Sequence, residues 1–336
     1  MTTTSRRRVL VAMPLLAGLA LAGCSSGGGT THASGSPSSS SSASSGGVAP
    51  VSGIGADNQV SVTGAFNKEP AVTIPIAHPG DQLLTKTLIT GAGAAVGSSN
   101  YNIVNYALYK WNGTTHTKLG STYTATPQPM ASAQVLPGLQ KALVGQKAGS
   151  RVLAVIPPSQ AFGSSGNSQG GISGTDTLVF VIDVIGTFPG NASISGKQTQ
   201  AGSGLPTVSD TTTAQPTITI PKNNPPKGMT TKTLIQGTGP KVQSGQFIVV
   251  QYTGVNWRTG QVFDASWKRN QPYGLAIGQP GGVIVGWDIG LVGKNVGSRE
   301  LLMIPPSDGY GAQGQAQAGI KGTDTMVFVV DILAAY

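Results

Sequence analysis

Residues able to do chemistry are scarce in this 336-residue chain, which has 12 Asp and Glu together, 3 His and 1 Cys. One carboxylate stands out: Asp264 in VFDAS (Val262 to Ser266), set between a Phe and an Ala shortly after FIVVQYTG (Phe247 to Gly254), a run that reads as a buried strand. A lone Asp in such a place either caps a loop or faces a pocket. The His are His32, His78 and His116, and the Cys is Cys24, so the C-terminal region holds neither type. That removes Ser–His–Asp, Cys–His and His-ligated metal chemistry there. The chain shows no phosphate-binding glycine loop, no dinucleotide fingerprint and no close carboxylate pair of the kind glycoside cleavage uses. What remains is aromatic density: Tyr252, Trp257, Phe263, Trp267, Tyr273, Trp287, Tyr310 and Phe328. An aromatic pocket with few polar groups binds an apolar ligand, or catalyses a reaction that needs no nucleophile.

The elements that must position these residues occur twice. TKTLI stands at Thr85 to Ile89 and at Thr231 to Ile235, IPPSQAFG (Ile156 to Gly163) matches IPPSDGYG (Ile304 to Gly311), and GISGTDTLVFVIDVI (Gly171 to Ile185) matches GIKGTDTMVFVVDIL (Gly319 to Leu333). Three ordered matches at offsets of 146 and 148 mark a duplicated domain. FIVVQYTG, RELLMIP (Arg299 to Pro305) and TMVFVVDIL (Thr325 to Leu333) are rich in Val, Ile, Phe and Thr and separated by Gly, Pro and Asn turns, which predicts strands. VGWDIGLVGK (Val285 to Lys294) predicts the one helix, with Trp287 and Leu291 on one face and Lys294 near its C-terminal end. Several antiparallel strands with one short helix predict an α+β domain whose helix covers a sheet face.

The order YTG, VFDAS, VIVGW, PPSDGYG and GIKGTDTMVFVVDIL resembles the FKBP-type peptidyl-prolyl cis-trans isomerases over residues 215–336. The resemblance implies two tandem FKBP-like domains, each a curved antiparallel β-sheet wrapped around one short α-helix with a pocket between. It implies catalytic roles for Asp264, Tyr310 and Tyr252, and a substrate pocket of Phe263, Tyr273, Val283, Ile284, Trp287, Ile320 and Phe328. Trp287 is then the floor under a prolyl ring, Tyr310 a donor to a substrate carbonyl and the Ile284 N–H a second donor. Asp264 is expected at the pocket edge, oriented by Tyr252 and Arg269, though such a network also serves simply to fix a loop. Trp287 is equally a core residue. The resemblance implies no cofactor and no metal; proline-containing polypeptides are the expected clients and macrolides the expected ligands. GQPGGVIVGW is one residue longer than the family pattern, which puts contacts near Gly281 and Gly282 in doubt.

The N-terminal copy keeps the apolar frame and loses the polar set. Tyr106 holds the Tyr252 position, and Ile172 and Phe180 remain, but Leu119 stands for Phe263, Gly120 for Asp264, Leu139 for Trp287 and Phe162 for Tyr310. Such a copy serves structure or binding, or turns over slowly in an apolar pocket. A non-catalytic peptide-binding chaperone on the same fold is therefore the competing reading for the whole chain.

Residues 1–23 read as a signal peptide, with Arg6, Arg7 and Arg8 ahead of an apolar run from Val9 to Leu21 that is too short for a stable membrane span. Leu21-Ala22-Gly23-Cys24 resembles the lipobox of bacterial lipoproteins, with Cys24 the lipidated residue, and the whole resembles tandem-domain lipoproteins of actinobacterial type. Ser5 to Leu10 is a weaker match to a twin-arginine export signal. Residues 24–50 form a Ser/Gly-rich tether with a mean reach of roughly 25–30 Å. The expected domains are 51–188 and 215–336, joined by a linker at 189–214. With Cys24 at the anchor, no disulfide forms within the chain. Losing the leader lowers the net charge from +9 to +6, spread without a Lys/Arg cluster, which argues against nucleic acid. The expected location is outside the cytoplasm, lipid-anchored at the cell membrane or secreted.

Overall fold

A computed structural model describes residues 60–336; the leader, Cys24 and the tether lie outside the described residues. The chain divides into two compact units at Gly186/Thr187, with Ser99–Tyr101 grouped with the second, and each strand belongs to the unit that holds most of its residues. The first unit contains β1 (Ser61–Thr63), β2 (Ala71–Thr73), β3 (Leu84–Ile89), β4 (Tyr101–Trp111), β5 (His116–Ser121), β6 (Gln128–Ala131), α1 (Pro137–Leu143), β7 (Arg151–Ile156) and β8 (Thr177–Phe188). The second contains β9 (Thr207–Val208), β10 (Ile218–Thr219), β11 (Thr230–Ile235), β12 (Phe247–Asn256), β13 (Val262–Ala265), β14 (Tyr273–Ala276), α2 (Val285–Leu291), β15 (Arg299–Ile304) and β16 (Met326–Ala335). The sheets run β3-β7-β8-β4-β5 with β6 also on β4, and β11-β15-β16-β12-β13 with β14 also on β12. Every pairing of the second sheet is antiparallel. This is the α+β architecture expected, present twice.

One face of each sheet curves around its helix. In the second unit Trp287 and Leu291 of α2 pack into a core with Ile248, Val250, Tyr252, Leu302, Ile304 and Phe328. The helix lies close because Gly286 has no side chain; a Cβ there would meet Ile304 Cγ2 at 2.5 Å. The helix is shorter than the sequence predicts, ending at Leu291. Lys294 lies beyond it, 3.0 Å from the buried carboxylate of Glu300, and donates to Thr233 Oγ1. This internal partner holds Lys294 in place of the helix dipole.

The other face is covered as well, which explains why β12, β15 and much of β16 are buried without alternation. In the second unit Val208 and Ile218, paired across the β9–β10 hairpin, pack on Leu301, Met303, Val327 and Val329. In the first, Val62 and Val72 of β1–β2 cover Leu153, Val155, Val179 and Val181 in the same way. A hairpin this short is marginal alone; burying each aliphatic side chain contributes about 1.5–3 kcal/mol, and a buried Arg completes the attachment. Arg299 bonds Asp331 across the strand pair at 2.7 Å through both Nε and Nη2, and its Nη1 donates to Gln198 Oε1 and Thr211 O. Arg151 does the same with Asp183, Gly64 O and Lys68 O. Residues 189–214, read from sequence as a linker, therefore contain part of the second unit's own cover, and a boundary at 214/215 falls between the two strands of its hairpin.

Candidate active site

Asp264 is on β13, the strand at the end of the sheet, opposite Gly254 of β12. The Tyr252 hydroxyl donates to Asp264 Oδ2, Arg269 Nη1 donates to Asp264 Oδ1, and Arg269 Nη2 donates to the Tyr252 oxygen at 2.8 Å, closing a three-member ring. Arg269 reaches it from a single 3-10 turn, Trp267–Arg269. The turn starts at Ser266, whose buried hydroxyl accepts the Tyr252 N–H at 2.8 Å and donates to Gln251 Oε1. The Asp264 and Arg269 side chains are 33% and 42% exposed, so the ion pair contributes at most about 1 kcal/mol to stability. Its geometric effect is larger: it fixes a carboxylate at the rim of an apolar cleft.

The cleft, open to solvent on one side and spanning about 360 Å³ with that open space included, is lined by Tyr252, Phe263, Asp264, Tyr273, Val283, Ile284, Trp287, Tyr310 and Phe328. Nine of the ten residues singled out from sequence in this region thus meet in one place. The tenth, Ile320, does not line it; it is buried in the core, and its backbone bridges Gln315 within the loop that carries Tyr310. A loop residue's direction depends on that bridge, which sequence does not display. The rings meet edge to face: Trp287 is 5.4 Å from both Tyr252 and Phe328, and Phe263 is 5.4 Å from Phe328. Each such pair adds about 0.5–1.5 kcal/mol beyond burial, and the pairs of the buried Trp287 and Phe328 hold the floor in place.

Burial pushes the Tyr252 hydroxyl well above a phenol's ordinary pKa, and the charge and hydrogen bond of Asp264 add to the shift. Burial also raises Tyr310, with Asp264 and Tyr273 adding, and raises Tyr273 against the opposing charge of Arg269. All three remain protonated donors near neutral pH. Among the described residues the Tyr310 and Tyr273 hydroxyls and the Ile284 N–H take no hydrogen-bond partner. The loop before α2 is pinned by Asp288, which accepts the Gly278 N–H at 2.6 Å. The extra residue of GQPGG is absorbed in a turn in which the Gly282 N–H reaches Gln279 O at 3.2 Å. Sequence reasoning gave no role to Ser266, Asp288 or Gly254; for Ser266 the signal was its place in VFDAS, matched by Thr122 in the first copy.

The first unit repeats the frame without the ring. The Tyr106 N–H donates to Thr122 Oγ1 at 2.9 Å, and that hydroxyl donates to Asn105 Oδ1, as Ser266 does to Gln251. Gly120, opposite Leu108, stands where Asp264 stands opposite Gly254. The corresponding depression, about 310 Å³, is lined by Leu108, Leu119, Leu136, Phe162, Ile172, Leu178 and Phe180, with Asn167 and Gly170. Burial alone raises the Tyr106 hydroxyl.

The family model described as FKBP-type peptidyl-prolyl cis-trans isomerase matches residues 100–185 and again 239–333. An FK506-binding protein of Streptomyces anulatus is 40% identical over 120 residues, 36% of this chain and 96% of that protein. A probable FK506-binding protein of Corynebacterium glutamicum is 35% identical over 121 residues, 36% of this chain and 98% of that protein. Among solved structures, the three FKBP domains of wheat FKBP73 align at 19% identity with a TM-score of 0.32, covering 76% of this chain and 94% of that one.

Proposed function

The chain belongs to the FKBP-type peptidyl-prolyl cis-trans isomerases, and we propose that its second unit carries the isomerase chemistry, acting on X–Pro bonds of exported polypeptides at the cell envelope. The observation that carries this is the cleft: an aromatic floor and wall around Trp287, with polar groups only at its rim. An X–Pro bond rotates slowly because amide resonance holds it planar, with a barrier of about 18–20 kcal/mol, while its two isomers differ by only about 0.5–1 kcal/mol. Twisting removes the resonance and makes the carbonyl less dipolar. A dry aromatic cleft raises the planar ground state more than the twisted state, so the barrier falls without a nucleophile. In this reading the prolyl ring rests on Trp287 between Phe263, Phe328, Val283 and Ile284. The Tyr310 hydroxyl and the Ile284 N–H hold substrate carbonyls, and Asp264, oriented by Tyr252 and Arg269, sets the field beside the rotating carbonyl. Macrolide ligands of the kind named for the relatives fit the same apolar cleft.

The first unit, whose depression is lined by no carboxylate and no Trp, is read as a binding or structural copy. Its depression, lined almost entirely by apolar side chains, is the observation that keeps a non-catalytic, peptide-gripping role in view for that unit. Anchoring by a lipid on Cys24 is supported by Leu21-Ala22-Gly23-Cys24 standing directly before the tether. The activity is tested by protease-coupled isomerisation of proline tetrapeptides with the full chain; no acceleration over buffer overturns it. For the anchor, Cys24→Ala should move the protein from the membrane fraction to the soluble one. A variant that stays on membranes after a salt wash refutes the lipobox.

A further inference from the structure

We infer that Gly254 is a positioning residue of the isomerase site: its missing side chain is what lets Phe263 stand as the cleft wall against Phe328. The inference rests on the reading of the cleft given above.

A Cβ on Gly254 would lie 2.7 Å from Phe263 Cζ, 2.8 Å from Phe263 Cε2 and 2.8 Å from Phe328 Cε1. Gly254 does not have a positive φ, so an alanine there meets only this steric conflict and no backbone strain. Of the two rings, Phe328 cannot give way. It is 4% exposed, on the central strand β16, and held 5.4 Å from Trp287 and 6.2 Å from Tyr252. Phe263 is only half-buried and sits on β13 at the sheet's end, so its ring is the part that moves. Its displacement costs the fold little and takes the wall away from the prolyl ring. The first unit shows the alternative solution. The position of Gly254 is Leu108, the position of Phe263 is Leu119, and the two leucines together line the depression beside Phe180. A side chain on β4 goes with loss of the ring on β5. Gly with Phe and Leu with Leu are thus two packings of one site, and only the first leaves an aromatic wall.

The test is a double-mutant cycle in the full chain: wild type, Gly254→Ala, Phe263→Leu and the double variant, each measured for kcat/KM on a proline tetrapeptide and for its thermal midpoint. Gly254→Ala should lower kcat/KM about tenfold or more while the midpoint moves little. Added to Phe263→Leu, it should lower kcat/KM by less than about twofold further, because its only route to the substrate is the Phe263 ring. An unchanged kcat/KM in Gly254→Ala overturns the role, and so do losses that multiply in the double variant. If Gly254→Ala does not fold, Gly254→Leu with Phe263→Leu, copying Leu108 and Leu119, decides: a folded protein supports the conflict with Phe263 and an unfolded one refutes it. A wild type without turnover overturns the active-site reading and this role together, whereas an active wild type with an indifferent Gly254→Ala overturns the role alone.

Discussion

The two units place the same bonds on the same strands and differ in what faces the cleft. Tyr252 and Tyr106 each donate their N–H to a hydroxyl from the neighbouring strand end, Ser266 or Thr122, and each sheet carries an Arg–Asp pair across its two inner strands. Yet one cleft has Asp264, Arg269, Tyr310 and Trp287 at positions where the other unit has Gly120, Ala125, Phe162 and Leu139. The bonds that define the frame lie largely inside the sheet, among them the two buried Arg–Asp pairs; those of the site are made by side chains at the rim. A duplicated domain can therefore lose its polar site without losing its fold.

Breaking the shared frame should give the largest effect, and the same one in both units. Arg151→Ala and Arg299→Ala each leave a buried Asp, at 0% and 1% exposure, without its cation. Removing one partner of such a pair costs about 3–5 kcal/mol. A urea melt with separate reporters, Trp111 for the first unit and the remaining Trp for the second, should show each variant destabilising its own unit. If one unit tolerates the loss, the clamp is not common scaffold.

The site itself separates the units next. Asp264→Ala in the full chain should lower kcat/KM by about tenfold or more, the size of losing roughly 1.4 kcal/mol of transition-state stabilisation. Gly120→Asp in the first unit should leave the rate unchanged, since neither a Trp floor nor an Arg partner is there to use the new carboxylate. Equal rates in wild type and Asp264→Ala would place the activity elsewhere and end the contrast between the copies.

The smallest expected effect is none. Burial raises Tyr252, Tyr273 and Tyr310 above the ordinary phenol pKa, which is about 10. A raised value means the proton is kept to higher pH, so all three stay donors through the neutral range. The rate of the full chain should be flat from about pH 6 to 9. A fall by half on approaching pH 9, without loss of near-UV circular dichroism, would mean that one hydroxyl ionises in contact with substrate.

Much of this was legible in the sequence for a physical reason. Strands buried on both faces appear as unbroken apolar runs, and a cleft of aromatics needs large residues, which stand out in a chain that is only 6% aromatic. The covering hairpins were harder: two- and three-residue strands in Ser/Thr/Ala-rich sequence have no periodicity to read. Their trace was still present, since VTIPIAHPGDQLLTKTLI (Val72 to Ile89) aligns with ITIPKNNPPKGMTTKTLI (Ile218 to Ile235) at the TKTLI offset of 146. Ser266 and Gly254 were not legible in role, because a hydroxyl reaching across to the Tyr252 N–H and a missing Cβ beneath a ring depend on a strand register broken by a bulge between Gly254 and Val255.

In both sheets the last strand of the repeat is the middle one: β16 lies between β15 and β12, and β8 between β7 and β4. During synthesis each repeat therefore leaves the ribosome as two unconnected halves, with its hairpin made first and nothing yet to cover. The sheet has no continuous hydrogen-bonded path from β11 to β12 until Met326–Ala335 arrives, so every earlier length of the second unit is an open chain with two exposed strand edges. A stop codon about ten residues early would remove the keystone rather than fray an edge, and what has been made by then is the kind of client a prolyl isomerase serves.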